Sequence, residues 1–369
     1  MGLHLIPNDL KINFVGFRKI SYAFSCLLIL IGLISLLAKG GPSYGIDFAG
    51  GIVVQIKFDQ PISDAEVKTS LAGSGMPDLV VQSMGDDSTT YLLRLANRDN
   101  LSAAQVRESV SMALGNNLPE QTYEIQRLEM VGPKVGSDLR AKALEALYLA
   151  TLLMSVYISG RFEHRWGTAL LMAIILGGSM YLLDFLNVPK LWQILAATLI
   201  TIAVCWRLKL AFALGAMLSI LHDLLVTVGI FSLLDKEFDL AIVAALLTVI
   251  GYSLNDTIIV FDRIRENLQT GKDALSDLVN RSINQTLSRT VLTSGTTLLV
   301  ILALLALGGD SIFDFALVLF VGVLVGTFSS IFVASPILLF FENTIRARQE
   351  LEEERKKQAA RKKRQTAHV

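Results

Sequence analysis

The chain has 369 residues, of which 52% are hydrophobic and 18% charged, against roughly 25% charged in an average soluble domain. That apolar, charge-poor composition indicates an integral membrane protein, and the balance of 33 basic against 33 acidic residues gives no reason to expect a nucleic-acid partner. Cys26 and Cys205 fall in apolar runs without a CxxC spacing and the histidines are scattered, which argues against a disulfide framework or a metal site.

Apolar runs lie at residues 20–38, 142–159, 166–185, 191–206, 210–234, 240–261, 290–307 and 315–341, giving eight predicted membrane helices, the fourth being the shortest. Lys11, Arg18 and Lys19 precede the first run. That run is too long for the core of a signal peptide, and the KGGPSYG after it lacks a small-x-small cleavage site, so it reads as a retained span.

Residues 39–141 alone form a connection long enough to fold. They read as strand 52–58, helix 63–72, strand 78–84, strand 91–96, helix 102–114 and strand 122–130. Ser63 and Ser102 suit N-caps, with Glu66 and Gln105 three residues on, and Gly73 and Gly115 suit helix ends. The order βαββαβ is that of a ferredoxin-like α+β domain. It contains no nucleophile–base set, phosphate loop or metal spacing, so binding or mechanical work is expected and not enzymatic chemistry.

Positive residues set the orientation. Lys11, Arg18 and Lys19, then Arg161 and Arg165, then Arg207 and Lys209, then Arg263, Arg265, Arg281 and Arg289, and finally the basic tail all fall on one side when both termini are cytoplasmic. An even number of spans satisfies this and an odd number breaks it.

The sixth run carries Asp256 within GYSLNDTIIVFDRIREN, residues 251–267, about 9 Å below the charged end at Asp262 and Arg263. Translocon scales put a central Asp at roughly 2.5–3.5 kcal/mol against insertion, so Asp256 must face protein or water. It is either interhelical glue or a titrating proton or ion site. Asn255 could position it or its water. Arg289, opening the seventh run, is either an anchor at the headgroups or a switch for the acid's protonation. His222 and Asp223, in the middle of the fifth run, could extend a proton path or form a satisfied interhelical contact. Thr293, Ser294, Thr296, Thr297 and the GxxxG of Gly322 and Gly326 read as packing features.

GIDFAGG at 45–51, VGPKVG at 131–136, GYSLNDTIIVFDRIREN at 251–267 and SRTVLTSGTT at 288–297, in this order, closely resemble the SecD/SecF family of bacterial protein export, on the SecF side. The resemblance covers nearly the whole chain. It implies an RND-superfamily half-bundle that pairs with SecD beside SecYEG in the inner membrane, with the 39–141 domain periplasmic. It further implies inward proton flow coupled to export of secreted polypeptides, with Asp256 as the conducting acid and Arg289 as its functional arginine. YajC, YidC and membrane lipid are further expected partners. No cofactor is implied; the coupling ion is H+, with Na+ the alternative. Two other readings of the chain are an RND-like exporter of lipids or small molecules and a passive translocon scaffold.

The family pattern has six spans, and it would pass from the RFE of Arg161 directly to LALGAMLSILHD-like sequence. Here about 45 residues intervene, so 166–207 reads as an inserted helical hairpin. The expected domains are a cytoplasmic N-terminus 1–19, a first helix 20–38, a periplasmic domain 39–141, a transmembrane bundle 142–341 including the hairpin, and a basic cytoplasmic tail 342–369. Residues 272–288 read as an interfacial helix leading to Arg289.

Overall fold

The computed structural model describes residues 11–72, 79–84, 88–95, 102–163, 166–270, 273–347, 350 and 358. Residues 1–10, Gly73, Arg165, Lys272 and most of the basic tail, on which some of the expectations above fall, lie outside the described residues.

Helix α1 (Arg18–Ala38) leads through Lys39–Tyr44 to a single turn, α2 (Ile46–Ala49), and then into a small sheet domain. Strand β1 (Gly51–Phe58), helix α3 (Asp64–Leu71), strands β2 (Val80–Met84) and β3 (Thr90–Leu95), helix α4 (Ala103–Asn117) and strand β4 (Tyr123–Val131) follow in the expected order. The sheet order is β2-β3-β1-β4 and every neighbouring pair is antiparallel, with Val54 opposite Leu93 on one side and Leu128 on the other. This is the ferredoxin-like arrangement. Ser63 and Ser102 both close capping boxes, with Glu66 and Gln105. Helices α3 and α4 bury Val67, Leu71, Val106, Val110 and Leu114 against Ile52, Val54, Ile56, Phe58, Tyr91 and Leu93 of the sheet. Gly115 lies inside α4, which runs on to Asn117.

The remaining long helices are α5 (Pro133–Glu163), α6 (Trp166–Phe185), α7 (Lys190–Arg207), α8 (Ala211–Leu233), α9 (Leu240–Thr270), α10 (Leu275–Leu307) and α11 (Asp310–Ser329). With α1 they give eight apolar helices of membrane-spanning length among the described residues. Helix α8 is the axis of the bundle and packs against α1, α5, α7, α9 and α11. The pair α6–α7 lies on the outside, against α5 and α8.

Three spans differ from expectation. Helix α5 starts at Pro133, well before residue 142, because the VGPKVG segment opens the helix directly after β4. Residues 275–289 are not a separate interfacial helix. Leu275, Leu278, Val279, Ser282, Ile283 and Thr286 repeat at helical spacing and are buried, so α10 runs unbroken into the bundle and Arg289 sits mid-helix. The last run is interrupted: α11 passes into a wide π turn over Ser330–Ala334, a further turn α12 (Ser335–Ile337), and a tight 3₁₀ turn over Leu338–Phe341. Pro336 supplies no N–H, and Ser335 Oγ donates to the Ser330 carbonyl at 2.8 Å in the widened turn.

The sheet domain meets the bundle at the glycine pair of GIDFAGG. Gly50 and Gly51 have φ of 74° and 143°, and a Cβ on them would come within 2.8 Å of Pro133 Cα and the Leu95 carbonyl oxygen respectively. Only glycine fits both the conformation and the space.

Candidate functional site

Helices α9, α10 and α11 surround Asp256. Its position on α9 is six residues before Asp262 and sixteen after Leu240, so it lies about 9 Å and 24 Å along the helix from those two residues. The side chain is fully buried. Its Oδ2 accepts from Ser294 Oγ of α10 at 3.2 Å, and that hydroxyl lies 2.7 Å from Thr327 Oγ1 of α11. Among the described residues Oδ1 finds no hydrogen-bond partner, and neither does the buried Oγ1 of Thr290, one turn before Ser294. A carboxylate held this way, in low dielectric with an unfilled lone pair, is suited to taking up a proton or to accepting from water.

Ser294 is therefore a site residue, although sequence pattern alone groups it with packing features. Its neighbours Thr293, Thr296 and Thr297 turn their hydroxyls back to carbonyls of their own helix. No local signal singles it out: Ser294 lies within the hydroxyl-rich run Thr293 to Thr297, in the middle of α10.

Asn255 does not join Asp256. Successive residues on a helix are about 100° apart, and Asn255 is exposed on a different face of α9. It lines a polar cleft of about 670 Å³ between α5, α9 and α10, together with Arg161, Asp262, Arg263, Glu266 and Arg289. Arg161 and Asp262 form an ion pair across it at 2.7 Å. Arg289 borders the same cleft and makes no ion pair with Asp256 among the described residues. In this conformation Arg289 lines the polar cleft, outside ion-pair distance of the buried acid.

His222 and Asp223 form a second buried centre on α8. The imidazole Nδ1 is 2.9 Å from Asp223 Oδ1, and Nε2 is 3.0 Å from Ser25 Oγ of α1. Asp223 Oδ2 accepts from Ser253 Oγ of α9 at 2.5 Å and from Ser329 Oγ of α11 at 2.8 Å, and Ser219 in turn donates to Ser329. This pair is fully satisfied and ties four helices together. Ser253 and Asp256 lie three residues apart on α9, so Asp223 on α8 meets the inward side of α9 one turn from Asp256.

The glycines of GxxxG set the approach of α11 to α9. A Cβ at Gly322 would fall 2.2 Å from Val249 Cγ2, and one at Gly326 2.9 Å from Ser253 Cβ. Close packing here brings Thr327 and Ser329 to the two acids.

Residues 111–181 and 186–344 match the family described as protein export membrane protein SecD/SecF, C-terminal, and residues 35–62 match the SecD/SecF GG motif. The break at 182–185 falls at the end of α6. The protein translocase subunit SecF of Calditerrivibrio nitroreducens is 35% identical over 344 residues, covering 92% of this chain and 97% of the relative. That of Magnetococcus marinus is 40% identical over 333 residues, covering 89% and 92%. The crystal structure of SecDF from Thermus thermophilus matches with a TM-score of 0.66 at 33% identity, over 93% of this chain. This chain spans 40% of the length of that SecDF chain. The chain belongs to the SecD/SecF family of protein export membrane proteins, in its SecF branch.

Proposed function

We propose that this translocase subunit uses the proton motive force through Asp256, in a complex with a SecD-type half beside the SecYEG channel, to promote export of polypeptides. The observation that carries the reading is the buried carboxylate of Asp256, held by Ser294 on Oδ2 and without a partner on Oδ1 among the described residues, with the Arg289 cleft bordering the same helix. Moving one charge through 100 mV releases about 2.3 kcal/mol, enough to bias a conformational equilibrium roughly fiftyfold. Protonation of Asp256 from one side and release toward the Arg289 cleft would harness that energy. Arg289 acts by approaching and leaving the acid, and Asn255 serves the cleft and not the acid itself. His222 and Asp223 hold the helices and carry no proton in this reading.

The positive residues support a multi-pass topology in the inner membrane with both termini and the Arg289 cleft cytoplasmic, and the sheet domain periplasmic. A partner half is favoured by the outer face of α9, where Ala241, Ala244, Thr248, Gly251 and Asn255 are exposed at helical spacing. Small residues with an amide are poor lipid ligands and good helix contacts. The solved relative from Thermus thermophilus is a SecDF, and its likeness to this SecF-type chain over 40% of its own length supports a SecD-type partner here. YajC and YidC would be additional neighbours in the membrane. The α6–α7 pair is an insertion in a six-helix plan.

Inverted vesicles containing the complex test the reading. Asp256→Asn should abolish stimulation of export by a proton gradient while the complex still assembles; retained stimulation would overturn it. The same vesicles under a sodium gradient alone should export at the ungated rate. Stimulation by sodium alone would replace H+ by Na+ as coupling ion.

A further inference from the structure

The segment that carries the glycine pair is fastened to the start of α9, the helix that bears Asp256. Phe238, two residues before α9, pairs with the segment in both directions: Phe238 N–H donates to the Ser43 carbonyl at 2.7 Å and Gly45 N–H donates to the Phe238 carbonyl at 2.8 Å. Asp47 Oδ2 then accepts the backbone N–H of Leu240, the first residue of α9, at 3.1 Å. The N–H groups of a first helical turn have no acceptor in their own helix, and a negative charge there is favoured by the helix dipole. Asp47 supplies both from a different part of the chain.

Phe48 beside it is buried at the end of the bundle in a cluster with Ala143 of α5 and Phe238, Ile242 and Val243 at the start of α9. Three residues after Phe48 the chain becomes β1, the strand between β3 and β4. Gly136 of VGPKVG completes the joint: a Cβ there would come within 2.9 Å of Gly50 N. The two glycine-containing motifs, more than eighty residues apart, form one fastening among α5, α9 and β1.

Beside this fastening the sheet stands off from the membrane helices. A cleft of about 470 Å³ separates them, lined among others by Asp47, Arg94, Arg127, Glu129, Asp239 and Asp314. Across it Arg94 of β3 pairs with Glu237, and both side chains are partly exposed. Partly exposed pairs contribute little rigidity. Force passing from α9 to β1 therefore has a direct route through Phe238, Leu240 and Asp47 beside a polar cleft, while the sheet's other joint to the bundle runs from β4 straight into α5.

We infer that Asp47 is a positioning residue for export: it couples displacement of α9, set by the state of Asp256, to movement of the sheet domain. This rests on the reading of Asp256 as the energised acid. Asp47 touches neither proton nor exported chain and acts through the Leu240 amide.

The test uses the full chain assembled with its SecD-type partner in lipid. Cys26→Ser and Cys205→Ser remove the native thiols, and Glu108→Cys on α4 and Leu186→Cys beyond α6 accept spin labels at two exposed positions. Asp256→Asn should shift the distance between the labels. Adding Asp47→Ala should remove that shift and lower gradient-stimulated export about tenfold, the size expected for losing one charge-assisted hydrogen bond. Asp47→Asn, which keeps an acceptor oxygen, should restore both. Leu240→Pro removes the same N–H from the other partner at a helix position that tolerates proline, and should reproduce the Asp47→Ala result even where that variant assembles poorly. An undiminished shift in Asp47→Ala or Leu240→Pro would overturn the inference and leave Asp256 untouched. Absence of any shift with Asp256→Asn would also overturn it, while the vesicle assay judges Asp256 independently.

Discussion

Gly326 of α11 lies so close to Ser253 of α9 that a Cβ on the glycine would meet the serine Cβ at 2.9 Å. The contact matters because the residues on either side of it do the polar work. Ser253 donates to Asp223, and Thr327 and Ser329, next along α11, lie on Ser294 and Asp223. Gly326→Leu should therefore separate α11 from α9 and loosen both acid centres together. Overpacking of this kind costs about 1–3 kcal/mol. The expected outcome is a lowered apparent melting temperature and lost gradient-stimulated export, read on the same preparation. Wild-type behaviour in both would show that the close approach is dispensable.

Asp223 should matter chiefly for stability. Asp223→Ala leaves His222 Nδ1, Ser253 and Ser329 without their buried acceptor, and breaking such a network is expected to destabilise by about 3–5 kcal/mol. Asp223→Asn keeps one acceptor oxygen and should be markedly milder. Thermal unfolding of the purified complex gives the ranking, and export by the surviving Asp223→Asn protein tells structure from conduction. Complete loss of gradient-driven export with unchanged stability would make Asp223 a proton carrier.

Ser63 and Glu66 make a pH-sensitive cap on α3. Ser63→Ala should cost about 1 kcal/mol of local stability, seen as faster amide exchange in the first turn of α3. Hydrogen bonds from the Ser63 hydroxyl and backbone N–H hold the Glu66 carboxyl below its usual value of 4.5. A lowered folded value means that the contribution is present above 4.5 and is lost as pH falls through the folded value. First-turn protection in the wild type should thus decline only below 4.5, and Ser63→Ala should weaken that dependence. Exchange in α3 that ignores both pH and the substitution would contradict the capping geometry.

The ends of the α6–α7 pair meet. Glu163, the last residue of α5, accepts the Phe212 N–H of α8 at 3.2 Å, and Phe162 stacks on Phe212 with centroids 5.5 Å apart while both lie edge-on to Phe261. Helices α5 and α8 therefore touch at the two points where the α6–α7 pair leaves and rejoins them. Replacing residues 166–207 by a short Gly/Ser linker should leave the other helices assembled, because the faces of α5 and α8 so uncovered meet lipid as apolar as the helices removed. Co-purification with the SecD-type partner and export within about twofold of the full chain are expected, a margin under about 0.5 kcal/mol. Failure to insert or assemble would mean that the pair is integral to the bundle.

Composition, run lengths and the period of the apolar pattern were enough to define the membrane class, the eight spans and the βαββαβ order, since each rests on local hydrophobicity, capping or turn chemistry. Ser63 and Ser102 were legible as caps because a cap and its partner lie three residues apart. Asp256 stood out because an acid in an apolar helix is costly to insert and must face protein or water. What surrounds it did not stand out: Ser294 and Thr327 come from helices 38 and 71 residues further on, and nothing in their own segments separates them from ordinary packing hydroxyls. Asn255 misled for the opposite reason, since adjacency in sequence turns a neighbour about 100° away on a helix. Likewise GIDFAGG and VGPKVG could be read only as two separate signatures. Their contact, and the Asp47 hydrogen bond to the start of α9, depend on how the sheet domain is set against the helix ends, which local sequence rules do not specify.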